Sequence, residues 1–331
     1  MTEFDPKAIH QQIRERFREA DRVAVVAHIR PDGDAIGSVL GLGTALADAG
    51  KTVQFVLEDG ASAAFKNLAN FKQIQKAIDP PVDLVVVVDC SDLERTGESL
   101  QGLPVDINID HHPTNTNFAT INAVWAESAA TSQIITESLE AWGLTLTPAI
   151  AAALLAGILT DTIGFRTSNM TAETLRAAST LVETGIDLPS IYQKVLLERS
   201  YPSVKLWGRG IENLQRNGRI AWTLLDKQDR KSARYNGKDD AELTSLLSTI
   251  KGIDIILVFV TQDNGKVKVS WRAKPGLDIS QTAVHFGGGG HAPAAGATIE
   301  GPLDQVIENV IDETKKVLET KKSIRKQKNH E

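Results

Sequence analysis

A single cysteine, Cys90, leaves the chain no partner for an internal disulfide. It sits in the apolar run "DLVVVVDC", where it reads as a buried thiol rather than a nucleophile, and a reducing cytoplasm fits. No apolar stretch approaches the roughly 18 residues of a membrane span. The opening "MTEFDPKAIHQQIRERF" carries charge throughout, so neither a signal peptide nor a membrane anchor is expected. An excess of basic charge is missing as well. With 36 Lys and Arg against 42 Asp and Glu the net charge is −6, which excludes a protein that coats long nucleic acid but allows a short anionic substrate. Aromatic residues make up only 5% of the chain and apolar ones 42%, ordinary for a soluble α/β protein.

At 331 residues, two domains are the default expectation. Asp5 and Pro6 start an amphipathic helix with Ile9, Ile13 and Phe17 at fourfold spacing. "RVAVVAH" is then a buried strand, and a helix over about Ala35 to Ala49 leads into the strand "TVQFVLE". "DLVVVVDC" and "VDINID" are two more strands, and strand alternating with helix implies a parallel sheet. Helices are expected near Ser128 to Trp142, Pro148 to Thr162 and Thr171 to Thr184; the second is apolar nearly all round and should be central. After residue 186 the texture changes to charged helices, the strand "RIAWTLLD", a helix near Ala241 to Ile250, and a hairpin "IILVFVTQDNGKVKVSWR" turning at Asn264-Gly265. The expected organisation is α/β: a parallel-sheet catalytic domain over 1–186, a linker helix region over 187–202, a smaller α/β substrate-binding domain over 203–320, and a basic tail over 321–331. No internal repeat is visible.

Three expected strand ends carry polar residues of one chemical kind: His28 with Asp32 and Asp34, then Asp89, then Asp110, His111 and His112. Ligands of open α/β sheets bind at carboxyl strand ends. One such aspartate would be read as a turn residue or helix cap, but three such ends point to a site. Asp161, near the end of the apolar helix, adds a carboxylate for which a buried cation is a better account than an unpaired charge. Imidazole and carboxylate without thiolate suit manganese, iron, cobalt or a magnesium-assisted site better than structural zinc. So many imidazoles and carboxylates exceed one ion's needs, and two ions about 4 Å apart form a clamp for in-line attack on phosphorus. Gly33 is expected to let the loop fold its aspartates to one point, and Gly37 to open the next helix toward phosphate.

"HIRPDGDAIGS", "VVVVDCSD", "NIDHHPTN" and "GILTDTIGFRT" resemble the four successive motifs of the DHH phosphoesterase family, in family order across residues 20–185. "VSWRAKPGLDIS" and "FGGGGHAPAAGA" are similar to the DHH-associated substrate domain of oligoribonucleases of the nanoRNase type. The resemblance implies His28, Asp32 and Asp89 around one ion, and Asp34, Asp89, His111 and Asp161 around the other, with Asp89 as the bridge. It also implies that His112 faces the scissile phosphate while Asp110 orients its neighbours. Manganese is the expected ion, with magnesium or cobalt as alternatives.

The run "GGGGH" lacks the ending of a P-loop and taken alone reads as a flexible turn. In the context of the resemblance, Gly288, Gly289, Gly290 and His291 are donors toward an anionic end group, and Arg272 a fork for a terminal phosphate rather than a surface arginine. His10, His285 and His330 have no motif around them and read as structural or solvated. The implied substrates are short oligoribonucleotides and 3′-phosphoadenosine 5′-phosphate, with linear or cyclic dinucleotides as the alternative and non-catalytic nucleotide binding a distant third. Whether a homodimer forms stays open at this point.

Overall fold

The computed structural model describes residues 5–328. His330 and the last residues of the basic tail therefore lie outside the described residues. The chain divides between Glu198 and Arg199 into two compact units. Among the described residues no helix is long and apolar enough to cross a membrane.

The first unit starts with helix α1 (Pro6–Glu19), capped by the Asp5 side chain on the Lys7 amide with Pro6 in the first turn. Strand β1 (Arg22–Val26), helix α2 (Gly33–Asp48) and strand β2 (Thr52–Val56) follow. Next come β3 (Ile74–Gln75), β4 (Leu84–Val88), β5 (Ile107–Asp110) and β6 (Ile121–Val124), then helices α3 (Thr131–Ser138), α4 (Pro148–Asp161) and α5 (Ala172–Glu183). All six strands pair in parallel in the order β3-β2-β1-β4-β5-β6, which reverses direction between β1 and β4. Burial on both faces explains why β1 and β4 read as unbroken apolar runs. Val23, Val25, Val86 and Val88 pack with the helices, while Ala24, Val26, Val85 and Val87 pack with Ile78, Leu100 and Val105 on the opposite face.

Helix α4 is buried along most of its length and crosses α2. Small residues set that crossing. A Cβ on Gly37 would meet the Ala153 carbonyl oxygen at 2.7 Å and the Gly157 nitrogen at 2.8 Å. This corrects the reading of the glycines: α2 opens at Gly33, and Gly37 lies a turn inside it, where close approach of two helix backbones excludes a side chain. The expected Ser128 to Trp142 helix is regular only over α3; beyond it the chain tightens into turns, with the Gly143 amide on the Glu140 carbonyl and Leu144 on Leu139.

Beyond a short helix α6 (Leu188–Tyr192) and a π-helical turn Gln193–Leu197, the second unit holds α7 (Tyr201–Glu212), β7 (Gln215–Asn217), β8 (Ile220–Leu225), α8 (Lys227–Ala233) and α9 (Leu243–Leu247). It continues with β9 (Ile255–Thr261), β10 (Val267–Ala273), α10 (Ser280–His285), β11 (Gly289–His291), β12 (Ala294–Ile299) and α11 (Leu303–Lys328). The sheet order is β11-β12-β10-β9-β8-β7, antiparallel except for the β8/β9 pair. Trp271 anchors one face, its indole N–H donating to Thr314 Oγ1 at 3.1 Å. The β9–β10 turn uses three residues, 263–265, with only Gly265 left-handed among Asn264 and Gly265.

Candidate metal centre

The reversal of strand order between β1 and β4 opens a crevice at the carboxyl ends of the first sheet, the place where such folds bind ligands. His28 follows β1 by two residues and Asp89 follows β4 directly. Asp110 ends β5, with His111 and His112 after it. Asp32 caps α2 by accepting from the amides of Asp34 (3.0 Å) and Ala35 (3.1 Å). Asp161 ends α4, so the α2/α4 crossing carries it toward Asp34.

Asp89 stands at the middle. Its Oδ2 lies 3.8 Å from His28 Nε2, and its Oδ1 lies 3.6 Å from His111 Nε2 and 3.9 Å from His112 Nδ1. His28 Nε2 is also 3.9 Å from Asp32 Oδ2, and His111 Nε2 is 3.7 Å from Asp161 Oδ2. Three groups have ligand atoms within 4.8 Å of one another: His28, Asp32 and Asp89; Asp34, His111 and Asp161; and Asp89, His111 and His112. Asp89 has a φ of 54°, a left-handed conformation uncommon outside glycine, so the turn after β4 is strained where the carboxylate is aimed.

Both flanking imidazoles are oriented from behind. His28 Nδ1 is 2.8 Å from the Ile29 carbonyl and His111 Nδ1 is 3.3 Å from that of Ser128. Donation to those carbonyls leaves each Nε2 as the free lone pair pointing inward, the arrangement typical of metal-binding histidine. His112 differs: its Nδ1 meets Asp110 Oδ1 at 2.7 Å, and Asp110 Oδ2 accepts from Asn115 Nδ2 at 2.6 Å.

Burial and mutual repulsion set the protonation of these side chains. Burial, and then the charges of Asp34, Asp32, Asp161 and Asp110, push the Asp89 carboxyl far above its usual range. Burial raises Asp34 too, against the His111 charge and the Ser132 donors. Burial and the Asp34 charge push Asp161 up to about 7. Burial works against ionised Asp110, yet the hydrogen bonds of His112 and Asn115 hold it below the usual carboxylate value. Burial lowers the pKa of His28. It works the same way on His111, where the carboxylates of Asp34, Asp161 and Asp110 outweigh it and raise the value. A buried excess of carboxylate among inward-facing imidazoles fits divalent cations, which would relieve the repulsion that protons relieve in their absence.

Arg272, Gly288, Gly289, Gly290 and His291 belong to the second unit, Arg272 on β10 and Gly289, Gly290 and His291 on β11, with β12 between the two strands and Gly288 just before β11. Ala294 of β12 registers with Arg272 of β10 on one side and His291 of β11 on the other. The glycines are not a slack turn: Gly289 and Gly290 are strand residues, and Gly290 has a φ of 143° with the Ala294 carbonyl 2.5 Å from where a Cβ would stand. Arg272 is half-buried, donates to Ser245 Oγ at 3.1 Å, and has its pKa lowered by burial against the charges of Asp240 and Glu242. His10 stacks on Trp125 at 5.3 Å and His285 lies edge-on to Phe286 at 4.9 Å.

Sequence reasoning missed Thr131 and Asn115. Thr131 donates through its hydroxyl to Asp89 and through its amide to Asp34, and Asn115 steadies Asp110. Asn115 lies in the quoted run "NIDHHPTN", so that signal was present; Thr131 carries no motif.

A family model described as "DHH family, N-terminal domain" matches residues 22–158, and one described as "DHHA1 domain" matches residues 223–320. The bifunctional oligoribonuclease and PAP phosphatase NrnA of Thermus thermophilus is 33% identical over 304 residues, covering 89% of this chain and 90% of that one. The protein of the same name from Mycoplasma genitalium is 28% identical over 310 residues, covering 91% and 96%. The crystal structure of an exopolyphosphatase-related protein from Bacteroides fragilis superposes with a TM-score of 0.87 at 25% identity, over 98% of this chain and 100% of that one.

Proposed function

The chain belongs to the DHH family and is a metal-dependent phosphoesterase, and from that premise we propose that it hydrolyses short oligoribonucleotides to mononucleotides and dephosphorylates 3′-phosphoadenosine 5′-phosphate. One observation carries the reading: the buried Asp89 turns one carboxylate oxygen to His28 and the other to His111. His28, Asp32 and Asp89 would hold one divalent ion, and Asp34, Asp89, His111 and Asp161 a second, with manganese favoured by the imidazole and carboxylate donors and magnesium or cobalt as substitutes. Bound there, such ions supply Lewis acidity, which makes water a nucleophile at neutral pH and stabilises charge on the phosphoryl oxygens.

The remaining steps belong to side chains. Asp110 accepts the Nδ1 proton of His112, leaving Nε2 to act on the substrate. As a water oxygen bonds to phosphorus in line with the departing ribose oxygen, that P–O bond breaks and His112 steadies the phosphate or supplies a proton to the leaving oxygen. Arg272, the backbone of Gly288, Gly289 and Gly290, and His291 would grip the non-reacting end of the nucleotide. Residues 1–186 are assigned to catalysis, 203–320 to substrate binding, 187–202 to the link between them and 321–331 to a basic tail. Cytoplasmic location is part of the same reading, supported by the single buried thiol.

The test is a panel with manganese: labelled RNA of graded length, 3′-phosphoadenosine 5′-phosphate, a linear dinucleotide, cyclic di-AMP and pyrophosphate. Fastest turnover of RNA of about two to five nucleotides supports the reading, since each stacked base contributes only about 1 to 3 kcal/mol and few are held. A cyclic dinucleotide or pyrophosphate at the top of the order would overturn it.

A further inference from the structure

Thr131 is the first residue of α3, fully buried, and its hydroxyl has no task in its own helix. The cap position, Ala130, offers no side-chain hydrogen bond, and Thr131 lies one residue past it. The hydroxyl instead donates to Asp89 Oδ1 at 3.0 Å, while the Thr131 amide donates to Asp34 Oδ2 at 2.6 Å. The next amide, Ser132, donates to Asp34 Oδ1 at 3.0 Å. Asp34, from α2, therefore caps α3 from outside, and Thr131 joins that cap to the carboxylate after β4.

The consequence concerns rotation. Asp89 can serve two clusters only while its carboxylate plane keeps Oδ2 toward His28 and Oδ1 toward His111. Thr131 is a neutral donor to that carboxylate, and it holds the oxygen on the His111 side. Groups that orient metal-binding side chains from behind typically contribute 10- to 100-fold to affinity.

We propose that Thr131 is a positioning residue for the metal centre, tying the carboxylates of Asp34 and Asp89 into one register through its amide and its hydroxyl. This rests on the metal-centre reading given above, and the test separates the two. Thr131→Val keeps the shape and the amide and removes only the hydroxyl; Thr131→Ser restores it; Asp89→Asn removes the bridging charge itself. Manganese binding is read from the electron paramagnetic resonance signal of the free ion, with thermal midpoints of the metal-free proteins as the check on folding. Thr131→Val should weaken manganese binding by about 10-fold, with Thr131→Ser within about 3-fold of the parent and the midpoints of both little changed. Unchanged affinity in Thr131→Val beside a large loss in Asp89→Asn overturns the positioning role alone, and so does an equal loss in the Val and Ser variants. Unchanged affinity in Asp89→Asn overturns the metal-centre reading and the positioning role with it. Should the Val variant fail to fold, Thr131→Ala puts the same question with the amide still in place.

Discussion

His28 and Asp89 face each other across the point where the first sheet reverses its strand order, Nε2 to Oδ2 at 3.8 Å. Neither side chain is positioned by the other. His28 is set by the Ile29 carbonyl and Asp89 by Thr131, so the gap between them belongs to the scaffold.

Removal of the Asp89 charge should separate function from stability. Asp89→Asn is expected to lower manganese-dependent hydrolysis by at least about 100-fold. Its folded-state carboxyl is raised far above the usual value, so ionised Asp89 opposes folding increasingly as pH rises above the ordinary aspartate range. The neutral amide, which also suits a left-handed φ, should therefore raise the thermal midpoint of the metal-free protein at pH 8 by about 2–4 °C, or roughly 1 kcal/mol. Scanning calorimetry checks it; a lower midpoint would refute the charge-repulsion account.

Metal binding should release protons near neutrality. Asp161 is pushed up to about 7 and Asp89 and Asp34 are raised as well, so below pH 7 the metal-free site holds protons that a cation must displace. Affinity should fall as pH drops through about 7 and level off well above it. Calorimetric titration at pH 6.5 in two buffers of different ionisation enthalpy measures the release, and identical heats in both would count against it.

Asp110 and His112 should act as one unit. Asp110→Asn and His112→Ala are each expected to lower kcat by about 100-fold or more, the scale of general acid catalysis, with manganese affinity little changed. The double variant should be no slower than the worse single one. Multiplicative losses would mean that the 2.7 Å contact has no part in turnover.

Replacing Arg272 should be felt only by nucleotides. Arg272→Ala is expected to reduce kcat/KM for a dinucleotide by about 10- to 100-fold, the equivalent of a charge-assisted contact of about 1.5 to 3 kcal/mol, and to leave bis-p-nitrophenyl phosphate almost unaffected. Equal losses on both substrates would assign Arg272 to folding.

Cys90 should be inert in the folded protein. Burial pushes its thiol up to about 12, and its S–H donates to the Asp92 carbonyl at 3.1 Å. Alkylation by iodoacetamide at pH 8 should proceed only after denaturant is added, as mass spectrometry would record. Rapid labelling of the native protein would contradict this.

Four strands of the first sheet, β1, β2, β4 and β5, were legible because parallel strands in the body of a sheet leave apolar runs, and polar residues at their ends stand out against them; the short edge strands β3 and β6 were not. His28, Asp89, Asp110 and His111 were visible for that reason. Strands β11 and β12 were not, since "GGH" and "AAGATI" carry few of the branched or aromatic side chains that mark a strand, and β12 is held by backbone pairing with β10 and β11. Thr131 was hidden for a different reason. Its contribution is an amide and a hydroxyl directed at residues 97 and 42 positions away, and nothing local in "AATSQ" encodes those partners.

At Gly37 the contact of α2 with α4 runs glycine to backbone, with no side chain between it and the Ala153–Gly157 segment. One helix carries Asp34 and is capped by Asp32; the other ends in Asp161. Side chains flex through rotamers, but two main chains in van der Waals contact have almost no slack. The helices thus work as a machinist's gauge block, fixing the width of the site before any ligand chooses a rotamer. A mutation could alter that width without touching a ligand: a single methyl at Gly37 would wedge the helices apart and, on the two-ion reading proposed above, should appear as a changed exchange coupling when the protein is loaded with manganese.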